Sequence, residues 1–532
     1  MFASRLLLCF AVAASLCTHA AETNPVQLAT GARFDLTASA SVGILSAGQI
    51  SRGQGGITRQ NWLPEGRRER GYSVNFSLNR FAPAEIEVRF EPKDAGQVTL
   101  ALMGPWEEAS KGVLYKQETE WTQLDVTGAS LAANGWSALP KPVVSWHNRP
   151  VTLTLQVMAG QPVTVRASAR PVVPAGSADM RRITRRDTAA HLAARNFMRG
   201  ANLGNYLEAP PAQNWGARYT SEDFRHIQAE GFDHVRLPIA WNHHTGPAPE
   251  FKLRDEIYGK ADFLVTNALA NGLNVIVNIH HFDDFTTDPA ANTNQFYALW
   301  RQIAAHYAKS PAGVAFELLN EPKDAATTTA MNPIYAEVIR QIRRSNPARV
   351  IFVGPGKWNQ VGELPNLRLP DDDENLIVTL HCYDPFYFTH QGATWSGPDT
   401  KVKGIRFPGP PTEPLVPEAA LQIRPHVKDW IARYNTLPTE KNPSSPSAFK
   451  ETIRQAKEWS DHYGRPVHFG EFGCFTTADI ESRARFYAEF RKALAEAGLG
   501  WAIWDWSAGF RYWDQKKAEP LPGMREALFG KQ

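Results

Sequence analysis

Two glutamates in this chain close apolar runs: FELLNEP carries Glu321 and HFGEFG carries Glu471. Packing alone would favour a hydrophobe there, because a carboxylate buried without partners is costly. A facing pair of carboxyl groups has a definite use. One protonates a departing oxygen while the other attacks the neighbouring carbon or activates water, which is the chemistry of glycosidic-bond hydrolysis. A separation of about 5–5.5 Å permits a covalent intermediate and retention of configuration. Other polar residues stand at comparable run ends. They are Arg236 (with Trp241 just beyond), the pair His280-His281, Asn320 directly before Glu321, His381-Cys382-Tyr383, and Trp504. Glu317 shares the parity of Glu321, so it is expected deeper inside, as the buried partner of an arginine.

These residues need a scaffold that brings run ends together. After Phe197, eight short apolar runs recur: FMRGANLG, HVRLPI, NVIVNIH, VAFELLNE, RVIFVGP, NLIVTLHCY, PVHFGEF and GWAIWDW. Amphipathic stretches such as QFYALWRQIAAHYAK and ESRARFYAEFRKALAEAG separate them. Eight strand–helix units predict a (β/α)8 TIM barrel, in which active residues gather where strands end. The stretch between Tyr383 and Pro466 exceeds an ordinary connection and is expected to hold at least one helix.

Upstream the pattern changes to period two. Tyr72, Val74, Phe76 and Leu78 alternate with polar residues, as do Ile86, Val88 and Phe90, and Val151, Leu153, Leu155 and Val157. This predicts an N-terminal all-β, jelly-roll-like sandwich. Its tryptophans, Trp62, Trp106, Trp121, Trp136 and Trp146, suit either its packing or a sugar-binding face. Residues 1–20, with Arg5 ahead of the apolar run Leu6 to Leu16, read as a secretory signal peptide too short to span a bilayer. The expected organisation is 1–20 signal, 21–175 β-sandwich accessory domain, 176–196 linker and helix with a solvated basic face, and 197–532 catalytic barrel.

A length of 532 residues suits two globular units, and 43% hydrophobic with 21% charged residues excludes wholesale disorder. A net charge of +3 is too balanced to argue for nucleic acid or an acidic membrane as partner. Of four cysteines only Cys382 and Cys474 lie beyond the signal, which makes no disulfide framework. The pairs His243-His244 and His280-His281 invite a metal reading. Neighbouring residues on a strand point to opposite faces, so no metal and no cofactor is expected.

The barrel resembles family 5 of the glycoside hydrolases. The likeness rests on RGANLGNYLEAP, HVRLPIAW, NIHHF, FELLNEP, HCYDPFYFTHQGATW, HFGEFG and WAIWDWSAGF, in that order across 197–515. It is nearest the bacterial endoglucanase/mannanase type, which has a similar THQGAxW loop. The resemblance implies that Glu321 is the general acid/base and Glu471 the nucleophile. It implies that Asn320 bonds the sugar 2-hydroxyl, that His280, His281 and His381 bind sugar at the cleavage point, and that Trp504 is a stacking platform. Arg236 and Tyr383 match family positions and are candidate donors to Glu471. Asn205 and Glu208 match polar residues near the non-reducing-side subsites, and Trp215, Trp358 and Trp395 are looser candidates for cleft walls. Asp505 departs from the glutamate that relatives often carry. The expectation is a secreted (periplasmic or extracellular) retaining endo-β-1,4-glycanase, monomeric, acting on β-glucan. The alternatives are β-mannanase or xyloglucanase, an exo-acting β-glycosidase, and a non-catalytic carbohydrate-binding protein.

Overall fold

The computed structural model describes Met180 to Gly530 in full and, before that, only the backbone of strands between Val26 and Pro171. The expected signal peptide and the side chains of the five N-terminal tryptophans lie outside the described residues. The chain divides into two units, residues 1–179 and 180–532.

In the first unit the period-two runs form strands, among them Gly71–Leu78, Ala84–Pro92, Val98–Met103, Pro150–Val157 and Val163–Pro171. They belong to two six-stranded sheets. Pairing is antiparallel except between Val143–Val144 and Val113–Leu114.

In the second unit eight parallel strands close into a barrel. They are β1 (Arg199–Asn202), β2 (His234–Leu237), β3 (Asn274–Asn278), β4 (Val314–Glu317), β5 (Ile351–Val353), β6 (Leu376–His381), β7 (Val467–Phe472) and β8 (Gly500–Ile503). Each lies in one of the eight expected runs. They read as continuous hydrophobes because barrel strands are covered on both faces. The main helices are α1 (Ala189–Ala194), α2 (Ser221–Glu230), α3 (Asp255–Ala270), α4 (Pro289–His306), α5 (Thr328–Arg343), α6 (Pro425–Thr436), α7 (Ser447–Tyr463), α8 (Ile480–Ala497) and α9 (Met524–Phe529). Local chemistry sets their ends. Thr220 and Asp223 form a capping box at the start of α2, and Gly498 takes the left-handed conformation that stops α8. After β5 only short helical turns, Gly356–Asn359 and Val361–Asn366, replace a full helix.

Residues 180–196, the described part of the segment expected as linker and helix, belong to the barrel unit. Met180 and Ile183 are buried, and Ile183 N donates to Tyr463 O at 2.8 Å. Its basic residues are tethered. Arg181 and Arg185 both bind Glu374, at 2.9 and 2.6 Å, and Arg182 donates to His462 O. Gly464, at φ 68°, lets this strap pass: a Cβ there would lie 1.7 Å from Ile183 O. Helix α1 then sets Ala190 against Phe197, Ile276, Ala315, Phe352 and Ile377, closing one end of the barrel.

The insertion between β6 and β7 holds α6 and α7. Phe388 and Phe407 from the insertion pack on Phe449 of α7 and Phe486 of α8, with ring centroids 5.3 to 6.3 Å apart. Among the described residues no helix is long and apolar enough to cross a membrane.

Candidate active site

The site is built upward from one buried cation. Arg236 on β2 is fully buried, and all its donors are used. Nε and Nη2 bind the two oxygens of Glu317 at 2.6 and 2.7 Å. Nη1 reaches Asn202 Oδ1 at 2.8 Å and Glu471 Oε1 at 2.7 Å, and Nη2 also reaches Asn320 Oδ1 at 2.7 Å. Glu317 is thus the buried arginine partner expected of it. Burial opposes the Arg236 charge, but Glu317 and Glu471 hold it protonated, with its pKa raised. Because Asn320 Oδ1 accepts from Arg236, the Asn320 amide nitrogen remains available as a donor at the cleft wall.

Each oxygen of Glu471 has its own donor. Arg236 binds Oε1, and Tyr383 Oη–H donates to Oε2 at 2.7 Å. Glu321 is differently placed. It sits just past β4 at φ 46°, with its side chain 24% exposed to the cleft. His381 Nδ1 lies 2.8 Å from Glu321 Oε1 and 3.6 Å from Glu471 Oε2. A register shift between Leu380 and His381 sets His381 beside Glu471 on the neighbouring strand.

Burial raises the Glu321 pKa to about 7, with a smaller push from Glu317 and opposition from Arg236 and Lys323. Burial, with a further push from the neighbouring Glu321, raises Glu471 as well, while His381, Arg236 and the Tyr383 hydroxyl oppose that rise. The donors distinguish the two: Arg236 and Tyr383 favour the ionised form of Glu471, and neither reaches Glu321, an asymmetry that favours the proton on Glu321. Burial lowers His281 and His381 to about 4 and pushes His280 well down, so these rings are neutral hydrogen-bonding groups near pH 7.

These groups line one cleft of about 1290 Å³, more than a small-molecule pocket needs. Of the expected site residues, Asn205, His280, His281, Asn320, Glu321, His381, Tyr383, Glu471 and Trp504 line it. Arg236 lies beneath. Glu208 is set back from the wall: fully buried, it accepts from the backbone N–H groups of Asn205 and Tyr206 and shapes that loop. The Trp504 ring lies nearly parallel to His280, with centroids 5.7 Å apart. It approaches so close to Gly204 that a Cβ there would stand 3.0 Å from the indole. Trp215, Trp358 and Trp395 line the cleft at 39, 49 and 62% exposure, as stacking platforms require. Asp505 is buried and accepts from Ala508 N and Phe510 N, so it shapes the loop after β8.

Sequence reasoning missed Lys323, which pairs with Asp283 at 3.0 Å, and Phe386 and Thr452, which the insertion brings to the cleft. It also missed Asn359, whose Nδ2 lies 3.3 Å from His381 Nε2. Among the described residues, Glu321, His381 and Glu471 offer ligand-type atoms within 4.8 Å of one another. These atoms already face one another or the donors Arg236 and Tyr383, an acid–base arrangement, and neither paired-histidine motif belongs to the group. Cys382 and Cys474 are buried free thiols raised by burial.

A closed (β/α)8 barrel with paired carboxyl groups past β4 and on β7 defines a barrel hydrolase of the glycosidase class. Residues 197–509, more than half of the chain, match the model of cellulase, glycosyl hydrolase family 5, and the chain belongs to that family. It is 29% identical over 307 residues to endoglucanase H of Acetivibrio thermocellus, covering 58% of this chain and 29% of that protein. Endoglucanase C of the same organism is 27% identical over 325 residues, covering 58% and 91%. The chain thus spans under a third of the first relative and most of the second. Among solved structures, endoglucanase Cel5A from Thermotoga maritima is 32% identical, with a TM-score of 0.55, over 63% of this chain and 98% of that one. The protein is a glycoside hydrolase.

Proposed function

We propose that the protein is a secreted, retaining endo-β-1,4-glucanase that cleaves cellulose-like or mixed-linkage β-glucan. One observation carries the reading: carboxyl oxygens of Glu321 and Glu471 within 4.8 Å of each other, with unlike donors around them. That spacing suits double displacement. Glu471, ionised, attacks the anomeric carbon while Glu321 gives its proton to the leaving oxygen, and a glycosyl ester forms. Glu321, now a carboxylate, takes a proton from the water that attacks the ester, and the sugar leaves with retained configuration. Asn320 donates to the sugar 2-hydroxyl and Trp504 stacks under the ring.

The endoglucanase names of the relatives support β-glucan. β-Mannan is the second reading, because Thermotoga maritima Cel5A, 31% identical in that complex, has been solved with mannotriose as well as with cellobiose. A reducing-sugar assay on β-glucan and β-mannan panels tests both readings, with viscosity followed alongside. Early viscosity loss ahead of monosaccharide release is expected; monosaccharide release without it would mean exo action. Binding without turnover would mean a non-catalytic carbohydrate-binding protein.

Residues 1–20 act as the secretion signal in this reading, and the enzyme works as a monomer because one chain supplies the whole cleft. The N-terminal strands form an accessory β-sandwich not needed for chemistry. A chain beginning at Ser177 is expected to keep activity on short soluble oligosaccharides; a folded but inactive product would remove that division of labour.

A further inference from the structure

We infer that Asn359 is a positioning residue: by donating to His381 Nε2 it fixes the tautomer of His381, so that the one ring proton sits on Nδ1 between Glu321 and Glu471. The inference rests on the acid/base role proposed for Glu321.

Asn359 is fully buried at the closed end of the turn after β5. Its Nδ2 lies 3.3 Å from His381 Nε2. Three successive non-glycine residues, Lys357, Trp358 and Asn359, take the left-handed conformation, with φ of 50, 59 and 56°. Such a run is unfavourable for L-residues and persists only where its surroundings impose it. The surroundings do so here. Gly356 N donates to Thr328 Oγ1 at 2.8 Å, Thr328 Oγ1 donates to Glu363 at 2.7 Å, Lys357 pairs with Glu363 at 2.8 Å, and Trp358 N donates to Pro322 O at 3.1 Å. The bend turns Trp358 to the cleft and Asn359 inward. Gly354 leaves the room: a Cβ there would stand 2.2 Å from Asn359 Oδ1.

The proton's place matters to the acid. The charged groups around His381 are Glu321, Glu471, Arg236 and Glu317. With hydrogen on Nδ1, the ring donates toward the carboxylates, and the proton of Glu321 stays free for the glycosidic oxygen. With hydrogen on Nε2 instead, the Nδ1 lone pair, 2.8 Å from Glu321 Oε1, would accept that proton and hold it away from substrate. Once Glu321 has given up its proton, the Nδ1–H stabilises the carboxylate left behind.

Two measurements test this. In full-length protein with 15N-histidine, the His381 ring nitrogens, assigned by loss of signal in His381→Gln, are expected to show a protonated Nδ1 and a bare Nε2. A protonated Nε2 in the neutral ring would overturn the inference, whatever the activity assays say of Glu321. The second uses Asn359→Ala and Asn359→Asp, with folding checked by thermal melts. Aspartate accepts at Nε2 and draws a proton there, so Asn359→Asp is expected to lose more kcat than Asn359→Ala. Loss of the donor in Asn359→Ala is expected to cost roughly tenfold in kcat at near-parental KM, part of the roughly 10²–10⁴-fold that general acid catalysis supplies. A space-filling role predicts the reverse order, because aspartate matches asparagine in shape; that order would overturn the inference.

Discussion

Arg236 Nη1 meets Glu471 Oε1 at 2.7 Å while the same guanidinium grips both oxygens of Glu317 below it. One buried cation thus serves two carboxylates, and the nucleophile candidate is held by a residue that is itself held. Removing Arg236 leaves uncompensated charge in the barrel. Arg236→Met is expected to destabilise the barrel by about 3–5 kcal/mol, the scale for a broken buried ion pair. A melting curve reads this directly. Arg236→Met/Glu317→Leu should recover much of the loss; no recovery would mean that Glu317 is not the group left stranded.

Glu321→Gln and Glu471→Gln, taken separately, are each expected to lower turnover on the preferred glucan by roughly 10²–10⁴-fold or more. Near-parental activity in either would remove the two-carboxylate reading. NMR of the first-formed anomer checks retention, and an inverted product would contradict the roles given to the pair.

The activity profile should be bell-shaped in pH. Glu321 must be protonated to act, and its pKa stands at about 7, so kcat/KM is expected to fall as pH rises through that value. Glu471 must be ionised, so activity also falls on the acid side. Glu321→Gln, assayed on a substrate with a good leaving group that needs no acid, should lose the basic limb and keep the acid one.

Tyr383→Phe removes the donor to Glu471 Oε2, one of the groups that hold this carboxyl down. Turnover is expected to fall by roughly 10²-fold, the scale for one donor lost from a charge-stabilising site. The acid limb should move to higher pH, because Glu471 then ionises less readily. A fall in rate with an unmoved acid limb would place the tyrosine's effect elsewhere.

Phe197 anchors the end of the barrel that α1 covers, with its ring 5.4 Å from Phe352 and 5.2 Å from His234. Phe197→Ala is expected to cost about 3–5 kcal/mol, as large-to-small changes in a packed core do. A chain beginning at Met198, lacking the strap and α1, should melt well below one beginning at Ser177. Equal melting temperatures would show the strap to be dispensable.

Much of this protein was legible along the chain. Parallel strands covered on both faces must be apolar from end to end, so eight runs marked eight strands, and the polar residues that interrupt their ends marked the mouth. The inward parity of Glu317 even foretold an arginine beneath the site. The fold alone decided matters of direction and distant neighbours. Glu208 turns to backbone N–H groups behind the wall because its own loop folds over it. The basic segment 180–187, expected to be solvated, is bound because Glu374 and the carbonyl of His462, far away in sequence, stand beside it. Asn359 showed no apolar run and no parity, because a left-handed turn imposed by Thr328 and Glu363 aims its amide at His381. Periodicity records which face a residue takes within its own element. Which atom that residue meets across the barrel depends on how separate elements pack, and local sequence carries no trace of it.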